Sequence, residues 1–163
     1  MDTDRLDISV SEKYGNRLRV RVCGICVSES KLLMVNHQGL RKGPFWAPPG
    51  GGMDFGLSAA ENLTREFKEE TGLQVAVGSL LFVTEFLNPP LHALEMFFDV
   101  TMTGGLLHTG HDPEMDPGQQ QIREVSFLEF SAIDSLPEEH KHAAFKIAGQ
   151  ASQFRGLNGY FRI

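Results

Sequence analysis

Glu66, Glu69 and Glu70 lie within the run Arg65-Glu66-Phe67-Lys68-Glu69-Glu70-Thr71-Gly72-Leu73, at positions i, i+3 and i+4. At about 100° per residue, that spacing gathers three carboxylates on adjoining turns of one helix face. Like charges so close repel, and each pair costs an isolated helix about 0.2–0.5 kcal/mol. A bound divalent cation reverses the sign. Carboxylate oxygens are hard ligands suited to magnesium or manganese, whose remaining positions are filled by water and substrate phosphates. The chemistry expected of such a site is the binding of a divalent metal that meets the phosphates of a substrate.

The flanking residues predict the element that carries these side chains. Ala47-Pro48-Pro49-Gly50-Gly51-Gly52-Met53-Asp54-Phe55-Gly56 is a turn-rich loop, because neither proline nor consecutive glycines continue a helix or strand cheaply. Ser58 followed three residues later by Glu61 is a capping-box pattern, which starts a helix at Ala59 and runs it to Thr71. Gly72 stands where a left-handed terminating residue is expected. Ala60, Leu63 and Phe67 recur at helical spacing as a buried face, with Glu66 and Glu70 at its edge.

Loop and helix together resemble the signature of the Nudix hydrolase family: glycine, five residues, glutamate, seven residues, Arg-Glu, an apolar residue, any residue, Glu-Glu, any residue, glycine, apolar residue. Gly51, Arg65, Glu66, Phe67, Glu69, Glu70, Gly72 and Leu73 match it, and Leu57 stands where the family has its first glutamate. The resemblance implies an α/β fold, a Nudix-like α/β/α sandwich with a mixed β-sheet. It also implies a metal-dependent pyrophosphohydrolase that cleaves a diphosphate linkage in a nucleoside diphosphate joined to another group. A nucleoside triphosphate, ADP-ribose, a nucleotide sugar and a dinucleotide are all open as substrates. By that likeness Glu66, Glu69 and Glu70 are metal ligands, with Gly51 adding a backbone carbonyl and Mg2+ or Mn2+ as the cofactor. Glu66 and Glu69 are the catalytic candidates, and Arg65 orients the glutamates. Leu57 cannot pair with Arg65; Asp54 and Glu61, the latter four residues before Arg65, are the acids able to replace it. The alternative in which Leu57 has turned the protein into a non-catalytic nucleotide or nucleotide-sugar binding module must explain why all the acids remain.

Composition sets outer limits. At 163 residues and 41% hydrophobic content, one domain (residues 19–163) behind a polar arm (residues 1–18) is expected. The net charge of −6 argues against a nucleic acid polymer as partner, since such binding draws chiefly on lysine and arginine. No apolar run is long enough to cross a membrane, and the first residues are not signal-like, so a cytoplasmic protein acting on a small phosphorylated molecule is expected. The arm could add a strand to a second copy in a homodimer.

Cys23-Gly24-Ile25-Cys26 has the spacing of a redox pair, yet it lies inside the strand pattern 19–28, where residues three apart face opposite ways. Two separate structural thiols are expected. Further strands are predicted over 31–36, 73–84 with a bulge at Gly78, 93–103 and 123–127. A short helix over 131–136 and a closing helix over 138–152 complete the pattern. Gly50 and Gly51 of the loop, with Arg41 and Trp46 ahead of it, are the candidate substrate contacts, combining cationic and aromatic groups. A buried Trp46 that anchors the loop is the competing reading. Asp112, Glu114, Asp116 and Glu124 are acids that could supply a further ligand or a general base.

Overall fold

The structure, a computed structural model, describes residues 10–40, 42–111, 113 and 121–163. Its elements in chain order are β1 (Arg17–Ser28), β2 (Lys31–His37), β3 (Phe45–Ala47), β4 (Gly50–Gly52), α1 (Ala59–Thr71), β5 (Leu73–Asn88), β6 (Leu91–Gly105), β7 (Ile122–Glu129), α2 (Phe130–Ser135), α3 (Ala144–Ala148) and β8 (Gly159–Arg162). A helical turn at residues 10–14 precedes β1.

The strands form one mixed sheet in the order β3-β2-β1-β6-β5-β8, with β4 added to β1 and β7 to β2. The β1–β6 and β5–β8 pairs are parallel and the rest antiparallel. Glu29 and Ser30, both at positive φ (49° and 63°), form the tight turn between β1 and β2. The β5–β6 register shifts between Val77 and Leu80, which brackets the irregularity expected at Gly78.

Alternation along β1 divides the interior in two. Val22 and Cys26 point into a cluster with Leu63 and Phe67 of α1, whereas Cys23 and Ile25 point into another with Phe97, Phe145 and Phe154. The sheet is therefore a middle layer, with α1 on one face and the C-terminal helical segments on the other. Both thiols are free and buried, one in each cluster, so Cys23 and Cys26 are structural. Gly24 between them answers to sterics: a Cβ there would lie 2.4 Å from Phe67 Cε2 and 2.8 Å from Val100 Cγ2, so glycine is what lets α1 approach the sheet.

The helix bounds match those expected, with Ser58 and Glu61 closing the capping box and Gly72 at φ 75° ending the helix. The expected single closing helix over 138–152 is broken instead. It comprises a 3-10 turn (Glu138–His140), α3 and a second 3-10 segment (Ala151–Gly156). Two local facts divide it. The His142 N–H donates to the Trp46 carbonyl, which holds Lys141–His142 extended beside β3, and Gly149 adopts φ 75°. β3, β4 and β8 are too short to carry a period-2 signal and are visible only through their pairing.

Candidate active site

The carboxylates of α1 meet the glycine loop at the sheet edge formed by β4. Register places Gly51 opposite Val22 and Gly50 opposite Cys23. A Cβ added to Gly51 would lie 2.3 Å from Glu66 Oε1 and 2.5 Å from its Cδ, so the Glu66 carboxylate rests directly on the Gly51 backbone. Glu70 is 7% exposed, and its Oε2 accepts a hydrogen bond from the Gly50 N–H at 3.0 Å. Glu69 stands further out, its side chain 27% exposed against 14% for Glu66.

Arg65 ties this edge together. Its Nη2 lies 2.9 Å from Asp54 Oδ2 and 3.2 Å from Glu66 Oε1, and its Nη1 lies 3.1 Å from Glu69 Oε2. Burial alone would lower the guanidinium pKa, but Glu66, Glu69 and Asp54 more than offset it and the pKa is raised. Asp54, not residue 57, is thus the loop acid that meets Arg65. Glu61 is committed elsewhere, its Oε2 accepting from the Ser58 N–H at 2.8 Å. Leu57 is partly exposed, and its carbonyl accepts a hydrogen bond from the Asn62 side chain.

The C-terminal end of α1 is held by a strap from beyond β6. The amides of His108, Gly110 and His111 donate to the carbonyls of Thr71, Glu70 and Glu69 at 3.0, 2.8 and 3.3 Å. These carbonyls belong to the last turn, which has no intrahelical partners of its own. Gly110 is required there, because a Cβ would lie 1.8 Å from the Glu69 carbonyl oxygen.

This donor set is tested for a metal by its chemistry and its shape. All the groups are oxygens: three carboxylates and the Gly51 carbonyl, the type a hard cation prefers. Among the described residues, no three His, Cys, Asp or Glu side chains already converge on one point. The carboxylates lean instead on Arg65 and the Gly50 amide. The set fits such a cation because the space a side chain would fill at Gly51 is taken by the Glu66 carboxylate, which sets that oxygen donor beside the loop backbone.

The other candidate substrate contacts fare differently. Trp46 is 8% exposed and packed in the cluster with Phe97 and Phe145, so it anchors the loop and is not a stacking surface. Its neighbour Phe45 is the half-buried ring, with centroids 6.4 Å from both His37 and His142. Arg41, Asp112, Glu114 and Asp116 lie outside the described residues. Glu124 lies exposed on β7, opposite Asn36.

A charged group on the opposite sheet face is absent from the reading of the sequence. Glu95, in the middle of β6 and 7% exposed, accepts from Arg21 Nε (3.2 Å), His142 Nε2 (2.9 Å) and more weakly Cys23 Sγ (3.6 Å). Burial pushes the Glu95 carboxyl up, but His142 and Arg21 reverse this and hold it well below the ordinary carboxylate range. Desolvation, together with Glu95, pushes the Cys23 thiol up, so it stays protonated. A partial signal was available: Glu95 stands among the apolar residues Ala93, Leu94, Met96 and Phe97 of β6, and Arg21 directly precedes the apolar run Val22–Val27 of β1. His142 could not be read so, because its role depends on the break in the closing segment.

With this geometry in view, comparison with known proteins gives a consistent result. The NUDIX domain family model matches residues 15–148. An ADP-ribose pyrophosphatase of Methanocaldococcus jannaschii is 31% identical over 127 residues, covering 75% of this chain and 68% of that protein. A Bacillus subtilis (strain 168) protein provisionally named for the same activity is 32% identical over 109 residues, covering 64% of this chain and 51% of that protein, so the chain spans about half its length. Among solved structures, a UDP-X diphosphatase superposes with a TM-score of 0.63 at 22% identity, covering 100% of this chain and 76% of that one. An ADP-ribose pyrophosphatase of Streptococcus suis 89-1591 gives 0.61 at 20% identity, covering 88% and 98%. The chain belongs to the Nudix family. It is a hydrolase of the pyrophosphatase type.

Proposed function

We propose that the protein hydrolyses the diphosphate bridge of a nucleoside diphosphate joined to another group, with ADP-ribose the first substrate to test, and that it requires Mg2+ or Mn2+. Water attacks one phosphorus, the bridging P–O bond breaks, and the displaced phosphate leaves with the electron pair. The names of the two curated relatives support the choice of substrate. The observation that carries the reading is the packing of Glu66 on Gly51, with Glu70 bonded to the Gly50 amide and Arg65 spanning Asp54, Glu66 and Glu69.

Glu66, Glu69, Glu70 and the Gly51 carbonyl would hold the cation, which supplies neutralisation of phosphate oxygens and a lower pKa for water. The chain's own groups do the rest. Gly50 and Gly51 let the loop backbone lie against Glu66 and β1, which brings the carboxylates of α1 up to the loop where the phosphates would be held. Arg65 keeps Glu66 and Glu69 on one side of the helix, and the greater exposure of Glu69 supports assigning it the proton of the attacking water. Asp54 supplies the counter-charge lost at Leu57, so the altered position is no obstacle to turnover.

The test is product release from ADP-ribose, nucleotide sugars, nucleoside triphosphates and dinucleoside polyphosphates, with magnesium, with manganese and with chelator. Cleavage that depends on metal, and that falls by roughly a thousandfold or more in Glu69→Gln and Glu70→Gln with melting temperature preserved, is expected. Wild-type turnover in both variants would overturn the assignment.

A further inference from the structure

Strand β1 shows two faces to the site. Val22 and, level with it, Gly51 face α1 and the Glu66 carboxylate, whereas Arg21 and Cys23 project to the other face, level with Gly52 and Gly50. Arg21 is aimed with unusual care for a residue near a sheet edge. Its Nε donates to Glu95, which is held from a second side by His142 Nε2. The other ring nitrogen, Nδ1, accepts the Ala144 N–H at 3.1 Å, so the neutral imidazole carries its proton on Nε2 and donates it to Glu95. The ring stands edge-on to Phe97, with centroids 5.5 Å apart and planes at 74°. Glu95 is thus held from two sides, and it in turn holds Arg21 through Nε.

The far end of that guanidinium is not consumed by the anchor. Among the described residues, Arg21 Nη1 and Nη2 make no hydrogen bond, they are not among the buried polar atoms lacking a partner, and the side chain is 28% exposed. The flank of β1 across from Arg21 is open on this face. Gly52 lies directly across from Arg21, and a Cβ built there meets nothing within 4 Å. On the Arg21 face Gly52 therefore sets no side-chain wall across from the arginine, while the Glu66 carboxylate occupies the other face of β4 at Gly51. Arg21 also lies close enough to Glu70 for the two charges to interact.

We infer that Arg21 is a substrate-positioning residue, its two terminal nitrogens binding a phosphate oxygen of the substrate across Gly50–Gly52, with Glu95 and His142 serving to hold it there. A planar fork with its position fixed in advance suits phosphate better than a mobile lysine, because less side-chain freedom is lost on binding. This deepens the hydrolase reading and rests on it.

The experiment compares wild type, Arg21→Gln, which keeps a donor to Glu95 without the charge, and Arg21→Lys. Calorimetry measures the affinity for methylenediphosphonate, an uncleavable diphosphate, with magnesium present, and steady-state kinetics follow the substrate that the panel identifies. Expected for Arg21→Gln are a tenfold or greater loss of probe affinity and a matching rise in KM, with kcat within about threefold; Arg21→Lys should recover part of both. Probe affinity within twofold of wild type in Arg21→Gln, or no probe binding by wild type, would overturn the inference. So would a fall in kcat and melting temperature at unchanged KM, the mark of a purely structural tie. If Arg21→Gln fails to fold, Arg21→Lys decides: raised KM at unchanged kcat supports the role and unchanged KM refutes it. A wild type that cleaves its substrate with no dependence on Arg21 defeats this inference alone. A wild type that cleaves nothing yet binds the probe through Arg21 defeats the hydrolase reading alone.

Discussion

Gly51→Ala is a one-carbon perturbation whose consequence can be worked out from distances. The new Cβ would sit 2.3 Å from Glu66 Oε1, 2.5 Å from Cδ and 2.8 Å from Oε2. Non-bonded carbon and oxygen need roughly 3.3 Å, so the carboxylate must retreat by about 1 Å. It can do so, being the end of a flexible chain, at the cost of an off-rotamer angle worth about 0.5–1.5 kcal/mol and of its 3.2 Å contact with Arg65. For a chain of this size, that lowers the melting temperature by roughly 2–6 °C. Catalysis should suffer far more, since a displacement of about 1 Å in a positioned group costs on the order of a hundredfold, or about 2.7 kcal/mol of barrier. Gly156→Ala is the control: it lies in the last 3-10 segment, outside the glycine loop, where an added Cβ also meets nothing within 4 Å. The assay is kcat for the identified substrate, alongside thermal unfolding of both variants. A kcat for Gly51→Ala within threefold of wild type, or equal losses in the two variants, would refute the claim that Glu66 works from its seat on Gly51.

Other outcomes follow from the same structure. Leu57→Glu should change kcat by less than about threefold, because Asp54 already pairs with Arg65; Asp54→Asn should lower kcat by about tenfold, and adding Leu57→Glu to it should restore most of the loss. Failure of that rescue in steady-state assays would show that the two positions do not share a role. Burial, and then the positive charge of Arg21, lower the His37 pKa to about 4 from 6.5. The unfolded chain therefore binds a proton that the folded one refuses as pH falls from about 6.5 towards 4, and up to about 3 kcal/mol of stability is lost across that window. Denaturant titrations at pH 7 and pH 5 should show this loss in wild type and a smaller one in His37→Asn. Gly24→Ala should cost about 1–3 kcal/mol by forcing Phe67 and Val100 apart, read as a lower melting temperature.

What was legible in the sequence was whatever local chemistry determines. The α1 bounds are set by Ser58, Glu61 and Gly72, and each of these interactions is made within a few residues, so they could be read directly. The same holds for the β1–β2 turn and for the opposite fates of Cys23 and Cys26. Long-range pairing was not legible. β4 exists because Gly50–Gly52 pair with Arg21–Cys23, and β8 exists only through its partner β5. Trp46 illustrates the limit within the site itself, since a tryptophan beside cationic residues reads equally as a stacking surface or a core anchor until its neighbours are known. The Glu95 group joins residues 21, 95 and 142, a separation that no window of sequence spans.

The alternation along β1 has a consequence for how the enzyme can be remodelled. Because even positions of this strand back the carboxylates and odd positions carry Arg21 and Cys23, one strand divides into two separately mutable registers. On the role inferred for Arg21, a combinatorial library confined to Arg21, Glu95 and His142 would vary how tightly a diphosphate is held while leaving Glu66, Glu69, Glu70 and Arg65 in place. Variation confined to the even register, at Val22, Gly24 and Cys26, would instead disturb the packing beneath α1. Selection, natural or in the laboratory, can therefore act on one of these properties without dismantling the other.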